Sequence, residues 1–194
     1  NKSFDDVKVL KNTNLEIYKS DIATIFGHSG VGKSTLLSIV SGMITPDSGK
    51  VSINSKVMNT SNSSDLRKQY IEILFQKNNL LPEFNVKDNL LLPLIINNKT
   101  YDVAIKRVND LLNLLNLSNL INRTPDTLSR GEYQRISLLR SIANEPKIVI
   151  ADEPTANLDE NNCKQLLELI VKLNKELDKS FLIATHDSRF KDIS

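Results

Sequence analysis

The sequence of 194 residues is long enough for one domain with a buried core, so neither a metal nor a disulfide is needed to explain its folding. Its 25 basic and 23 acidic residues leave a net charge of only +2, which gives no overall electrostatic reason to expect nucleic-acid or anionic-membrane binding. Cys163 is the only cysteine, so an internal disulfide is excluded and a reducing compartment is expected.

No segment reaches the ~20 apolar residues that a bilayer span requires. The densest apolar run, Leu90 to Ile96, is short and contains Pro93. Residues 1–6 are polar, and no apolar stretch typical of a secretion signal follows them. The sequence therefore predicts a chain that does not cross a membrane.

Three short apolar runs predict buried parallel strands: Ile22 to Phe26, Ile148 to Ala151 and Phe181 to Ala184. Polar residues follow each run at once. In an open α/β sheet, ligands bind just beyond the carboxyl ends of the strands. The three segments that follow these strands are therefore expected to meet at one crevice.

Helical patterns lie between the strands, at 36–40, 103–117 and 166–177. A Pro-Asp-Ser-Gly turn at 46–49 precedes an alternating segment at 50–54, which predicts a small antiparallel element beside the main sheet. The stretch from about 80 to 128 is mostly helical and is interpreted as an insertion. The predicted fold is α/β, with a mainly parallel sheet core, a small antiparallel β element and an inserted helical subdomain.

Residues 27–34 match the phosphate-binding P-loop pattern and lie between a buried strand and a helix start. The glycines let successive backbone N–H groups point at phosphate oxygens, and the helix N-terminus adds partial positive charge. Lys33 is expected to reach the β- and γ-phosphates of a nucleotide, and Ser34 to ligate Mg²⁺. The predicted phosphate-binding residues are Gly27, His28, Ser29, Gly30, Val31, Gly32, Lys33, Ser34 and Thr35.

Two acidic residues, Asp152 and Glu153, follow the strand that ends at Ala151. Asp152 is placed to hold Mg²⁺ through water, and Glu153 is the candidate general base for the attacking water because it has no basic neighbour in sequence. Such a pair taken alone would more often cap the turn before Pro154. Its place beside a P-loop favours the catalytic interpretation.

A P-loop followed by such an acidic pair is found in GTPases, small-molecule kinases, helicases and transport motors. A guanine-specific Asn-Lys-x-Asp is absent, since the nearest string, Asn174 to Leu177, lacks the final aspartate. The GTPase class is therefore excluded.

The segment from Leu128 to Arg135 reads Leu-Ser-Arg-Gly-Glu-Tyr-Gln-Arg and resembles the signature motif of the ABC ATPase family. Ser129 and Glu132 predict a capping box that opens a helix. We expect Ser129 and Gly131 to be exposed at that helix start, where an anion such as a γ-phosphate is favoured. Arg130 stands where the family usually has glycine, and this cation can either hinder closure or contact phosphate.

Membership of this family implies the P-loop NTPase fold of ABC ATPases, ATP and Mg²⁺ as ligands, and ATP hydrolysis. It also implies a head-to-tail homodimer in which Ser129 and Gly131 of one copy cover the nucleotide of the other. By resemblance, Phe4 stacks on adenine, Gln76 contributes to catalysis and Mg²⁺ binding, Asp159 belongs to the D-loop at 156–159, and His186 is the switch histidine. The single domain at 1–194 then divides into a core with its β subdomain, at 1–79 and about 145–194, and a helical subdomain with the signature at about 80–144.

The segments 80–90, 92–94 and 151–159 look like one bacterial branch of the family, which contains lipoprotein-releasing ATPases, macrolide-type exporters and a cell-division ATPase; the lipoprotein-releasing members look closest. That resemblance implies integral membrane subunits of the LolC/LolE-like kind as partners, and a peripheral location on the cytoplasmic side of the bacterial inner membrane. The apolar residues from Leu80 to Phe84 fit either docking of such a subunit or buried packing.

Two functions from other classes explain these motifs less well. A DNA- or ribosome-associated ABC ATPase would carry a long coiled coil or two cassettes in one chain, whereas this chain has one set of motifs. A small-metabolite kinase would leave the signature segment without a purpose.

Overall fold

The computed structural model describes residues 1–74, 80–156 and 158–193. The strands are β1 Lys2–Phe4, β2 Val7–Leu10, β3 Ile22–Phe26, β4 Ser52–Ile53, β5 Lys56–Val57, β6 Ile71–Leu74, β7 Ile148–Asp152 and β8 Ser180–Thr185. The α-helices are α1 Lys33–Val40, α2 Ser63–Tyr70, α3 Val86–Ile96, α4 Tyr101–Leu114, α5 Arg130–Ala143 and α6 Glu160–Leu177. Short 3₁₀ turns occur at Ser118–Leu120, Pro125–Thr127 and Ser188–Asp192.

The central sheet has four strands in the order β3-β8-β7-β6, and all of its pairings are parallel. The three strands predicted from apolar runs are confirmed; β7 extends one residue further, to Asp152, and β8 extends by one residue at each end. Because β8 lies between β3 and β7, the three strands end side by side.

Side chains on the two faces of the sheet enter two separate apolar clusters. Val149, Ala151 and Ile183 pack on the face covered by α3 to α6, whereas Ile150 and Leu182 pack on the face covered by α1 and α2. This alternation follows from the two-residue period of a strand. The result is a three-layer α/β fold with both faces of a parallel sheet covered, which confirms the predicted fold class.

The predicted helices are present, with shifted ends. Helix α4 covers 101–114 rather than 103–117, because Asn116 lies in the left-handed region at φ 56° and the helix cannot continue through it. Helix α6 begins at Glu160, six residues before the apolar pattern that predicted it, since Asp159 supplies its N-cap. The polar residues that begin α6, Glu160 to Asn162, hid its start from a search for apolar periodicity.

Two small antiparallel hairpins accompany the sheet. The predicted element at 50–54 contains β4, which pairs with β5 across Asn54 and Ser55, both at positive φ. The other hairpin, β1–β2, was not predicted. It lies against the P-loop, because a Cβ on Gly32 would come within 2.7 Å of Val9 Cγ1.

Helices α3, α4 and α5 pack together through a large aliphatic core that includes Leu90, Val108 and Ile136, all fully buried. None of the helices in the three described ranges combines the length and apolarity of a bilayer crossing.

Candidate functional site

The site forms where the carboxyl ends of three parallel strands meet. Phe26 at the end of β3 pairs with Thr185 at the end of β8, and Asp152 at the end of β7 pairs with Ala184. The residues that follow these strands are therefore neighbours in space although they lie far apart in sequence. The expected meeting of the three segments is confirmed.

The phosphate-binding loop is shaped by glycines. Gly30 and Gly32 have φ of 84° and 101°, a region that side chains rarely adopt. A Cβ on Gly27 would lie 2.8 Å from Val31 Cγ2, so a larger residue there would have to displace the exposed Val31 side chain. Helix α1 follows at once and has no side-chain cap, which leaves its first N–H groups for an outside acceptor. This geometry suits a phosphate.

Lys33 is almost completely buried at the base of this loop. Its Nζ donates to Gly27 O at 2.6 Å and to His28 O at 3.2 Å, and it lies 3.4 Å from Glu153 Oε1. The carbonyl groups and the carboxylate together satisfy the buried ammonium. A cation is therefore already held where nucleotide phosphates would enter.

Ser34 and Asp152 bring two oxygen atoms together beside the lysine. Ser34 Oγ donates to Asp152 Oδ2 at 2.6 Å. The described part of the chain contains no group of three or more His, Cys, Asp or Glu residues placed to hold a metal. Magnesium commonly uses one or two protein oxygens and completes its shell with phosphates and water. The pair therefore fits Mg²⁺ that arrives with a nucleotide.

Glu153 lies in a strained backbone conformation just after β7. Its φ is 47°, which is uncommon for a residue other than glycine, and its N–H donates to Ala184 O at 2.8 Å. Its Oε2 accepts from His186 Nδ1 at 2.9 Å, and from His186 N and Thr185 Oγ1 at 3.3 Å each. The backbone turn therefore aims the carboxylate toward Lys33 and His186.

Two opposing effects set the pKa of Glu153. Burial raises the pKa, but the hydrogen bonds from His186, together with a weaker one from Lys33, outweigh it and hold the pKa below its ordinary value. The carboxylate is therefore ionised at neutral pH and available as a proton acceptor. The sequence showed no basic neighbour beside Glu153, whereas the fold supplies the ammonium of Lys33 and the imidazole of His186 in space.

The signature segment begins α5 with the predicted capping box. Ser129 Oγ accepts from Glu132 N at 3.3 Å, and Glu132 Oε2 accepts from Ser129 N at 2.8 Å. These two bonds satisfy the helix end within the chain, while the side chains of Ser129 and Arg130 are exposed.

The expected exposure of Gly131 is wrong, because this residue is buried. A Cβ on Gly131 would overlap the side chain of Asn162. Asp159 fixes that side chain, since its carboxylate accepts from Asn162 N at 2.9 Å and from Asn162 Nδ2 at 2.6 Å. Asp159 of the D-loop is therefore the N-cap of α6 and holds Asn162 over the start of α5.

The remaining predicted residues are placed as follows. Phe4 is 45% exposed on the hairpin beside the P-loop, with Lys2 Nζ 5.5 Å from its ring centroid. His28, Ser29 and Val31 lie on the exposed part of the loop. Gln76 lies outside the described residues, as does position 157 in the D-loop.

Sequence reasoning did not identify the role of Asp187, which joins two segments at the edge of the site. Its carboxylate accepts from Thr155 Oγ1 at 3.0 Å, and from Arg189 Nε and Nη2 at 2.8 and 2.6 Å. The hydrogen bond from Arg189 is the largest influence on Asp187 and lowers its pKa. The acid beside His186 was visible in the sequence, but its partners come from segments that only the fold brings together.

Comparison with known proteins defines the class. The sequence profile of the ABC transporter family matches residues 10–156. The chain therefore belongs to the ABC transporter family and is an ATP-binding cassette, which confirms the predicted class of ATPase.

Comparison with individual relatives shows which branch of the family the chain resembles. The chain is 40% identical over 196 residues to the lipoprotein-releasing system ATP-binding protein LolD of Cytophaga hutchinsonii, covering 100% of this chain and 90% of that protein. It is 36% identical to LolD of Bacteroides thetaiotaomicron, with the same coverage. The predicted resemblance to lipoprotein-releasing ATPases is confirmed.

Solved structures agree with the fold. A dimeric bacterial ABC transporter cassette matches with a TM-score of 0.82 and 33% identity, over 96% of this chain and 83% of that one. A dimeric cassette in a post-hydrolysis state bound to ADP and Pi matches with a TM-score of 0.80 and 34% identity, over 93% and 81%.

Proposed function

We propose that this chain is the ATP-hydrolysing subunit of a bacterial ABC transporter that releases lipoproteins from the inner membrane. The observation that carries the hydrolytic part is the convergence of Lys33, Glu153 and His186 at the edge of the sheet, with Ser34 and Asp152 beside them. The transport part is supported by the similarity to LolD proteins along the whole chain.

Each residue of the site has a separate role in the proposed hydrolysis of ATP. Lys33 exchanges the carbonyl groups of Gly27 and His28 for phosphate oxygens, and Ser34 and Asp152 are the residues that would hold Mg²⁺. Bound Mg²⁺ neutralises part of the negative charge on the phosphates. Glu153 orients the attacking water and accepts its proton, and His186 turns from Glu153 toward the γ-phosphate. By resemblance, Gln76 completes the water and metal contacts, and Phe4 stacks on adenine.

A second copy of the chain completes the site. Ser129 is exposed at the start of α5, a position where a helix terminus favours an anion. We propose that Ser129 and the backbone at Gly131 cover the nucleotide of a partner copy in a head-to-tail homodimer. The dimeric state of two similar solved cassettes supports this arrangement.

The membrane partner is proposed to dock near the segment that follows Gln76. Within it, Leu80 is 4% exposed and anchors the segment in the core, whereas Phe84 is 41% exposed. The sequence left open whether this segment docks a membrane subunit or packs in the core. Leu80 packs in the core, whereas Phe84 is exposed and available for docking. The partners are LolC/LolE-like integral membrane subunits, and the chain is peripheral on the cytoplasmic side of the bacterial inner membrane.

Purification of the tagged chain from its own membranes tests this function. We expect MgATP hydrolysis that needs no added acceptor, and co-purification of membrane subunits whose loss blocks lipoprotein release. Recovery of an antibiotic-exporting or septum-associated membrane subunit would instead assign the chain to a macrolide-type exporter or to the cell-division complex.

A further inference from the structure

The segment from Leu80 to Asn85, here called the 80–85 segment, is held from below by one buried amide. Asn89 is fully buried on α3. Its Oδ1 accepts from Leu81 N at 2.7 Å, and its Nδ2 lies 3.0, 2.9 and 3.1 Å from the carbonyl oxygens of Leu81, Phe84 and Asn85. All of these bonds go to backbone atoms of the segment, so the segment is rigid relative to α3.

A second bond ties the same segment to the signature helix. The N–H of Leu80 donates to Tyr133 Oη at 3.0 Å. Tyr133 is in the first turn of α5, where its own N–H donates to Ser129 O at 2.8 Å. One tyrosine side chain therefore spans from the turn that begins with Ser129 to the start of the 80–85 segment.

The hydrogen bond between Leu80 and Tyr133 lies in apolar surroundings that make it costly to break. The ring of Tyr133 packs against the large apolar core, and Leu80 is itself a member of that core. A buried backbone N–H that loses its acceptor is costly to leave unpaired. Contacts that fix the first turn of α5 therefore strengthen this bond, and contacts that displace that turn weaken it.

We propose that Tyr133 is a positioning residue that couples closure over the nucleotide at Ser129 to the 80–85 segment. This inference rests on the proposed function, because closure of two copies around ATP is the event that fixes the start of α5 against a nucleotide. The coupling is reciprocal, so a partner that holds the 80–85 segment biases the position of Ser129 through the same bond.

Amide hydrogen exchange tests the link without any membrane partner. The parent protein carries Glu153→Gln, which keeps ATP bound, and exchange at Leu80 is measured with and without MgATP. We expect MgATP to slow exchange at Leu80 by about two- to tenfold, the range that corresponds to strengthening one hydrogen bond. In the same background, Tyr133→Phe should leave exchange at Leu80 independent of MgATP.

The matched control is Tyr101→Phe, which removes a hydroxyl from an exposed tyrosine on α4 and should retain the nucleotide effect. Dimer formation with MgATP is followed in every variant by light scattering. A parent that dimerises without any change at Leu80 overturns the inference, as does a Tyr133→Phe protein that keeps the nucleotide effect. A parent that does not dimerise contradicts the proposed function instead.

Discussion

The phosphate-binding edge of the sheet and the start of α5 carry the two halves of the proposed ATP site, and they differ in how far one chain completes them. At the sheet edge, Lys33 and Glu153 already have partners within the chain. At the start of α5, the capping box satisfies the helix, but Ser129 and Arg130 are exposed. The reacting groups are thus preassembled in one copy. The start of α5, which is proposed to cover the nucleotide, is instead exposed and available to a second copy.

The largest effect is expected from Glu153→Gln. Removal of the proposed general base should lower ATP turnover by about 10²- to 10⁴-fold, while the proposed contacts of Lys33 and Ser34 to the nucleotide persist. ATP binding should survive, and an ATP-dependent dimer should accumulate. Rapid-quench hydrolysis and size-exclusion chromatography measure the two outcomes, and wild-type turnover in this variant would remove Glu153 from its role.

Lys33→Ala should weaken ATP binding itself, by about 10- to 100-fold, because one charge-assisted contact to phosphate is lost. Calorimetric titration with MgATP measures the change. Lys19→Ala is the matched control, since Lys19 is an exposed cation that pairs with Asp178, beside β8 at its amino end. Equal ATP affinity in the two variants would contradict the phosphate-binding interpretation of residues 27–34.

Glu72 on β6 lies in the same sheet as the segment before Glu153, but its pKa is shifted in the opposite direction. Burial raises its pKa from 4.5 to about 7, while Arg140 compensates the charge only partly. The folded state therefore binds this proton more tightly than the unfolded state, and stability falls as pH rises from about 4.5 to about 7.

Glu72→Gln should abolish that fall and stabilise the protein by about 2 kcal/mol at pH 8, with little change near pH 4.5. Denaturant unfolding at both pH values measures it. The matched control is Glu168→Gln on the exposed face of α6. A variant whose stability follows the wild-type pH profile would show that Glu72 does not titrate in this range.

The smallest effect is expected at Ser129. Ser129→Ala should cost about 1 kcal/mol of stability through loss of the cap and weaken ATP-dependent dimerisation by about tenfold. Ser129→Asp preserves a cap but places a negative charge toward phosphate, so it should recover stability without recovering the dimer. ATP affinity of the monomer should be unchanged in both; a weakened monomer affinity would place Ser129 in its own copy's site.

The sequence predicted the parts of this molecule that local chemistry determines. Apolar runs located β3, β7 and β8, glycine spacing located the phosphate loop, and Ser129 with Glu132 located the start of α5. Each of these depends on residues adjacent in the chain or within one helical turn.

Features that depend on tertiary packing were not predicted. The burial of Gly131 arises from Asn162 on another helix, and the partners of Glu153 come from two other segments. The hairpin β1–β2 also escaped prediction, because its strands are only three and four residues long. The conformation around Gln76 lies outside the described residues, so its role stays a prediction.

The contact between Gly131 and Asn162 changes how substitutions in the signature segment should be interpreted. An added methyl group at 131 would push Asn162 away from Asp159 and loosen the first turn of α6 before any second copy arrives. A loss of activity in Gly131→Ala would therefore not separate damage inside the monomer from a lost contact between copies. The contact between two copies is better tested at the exposed Arg130, or at Ser129 with a residue such as aspartate that keeps the cap of α5.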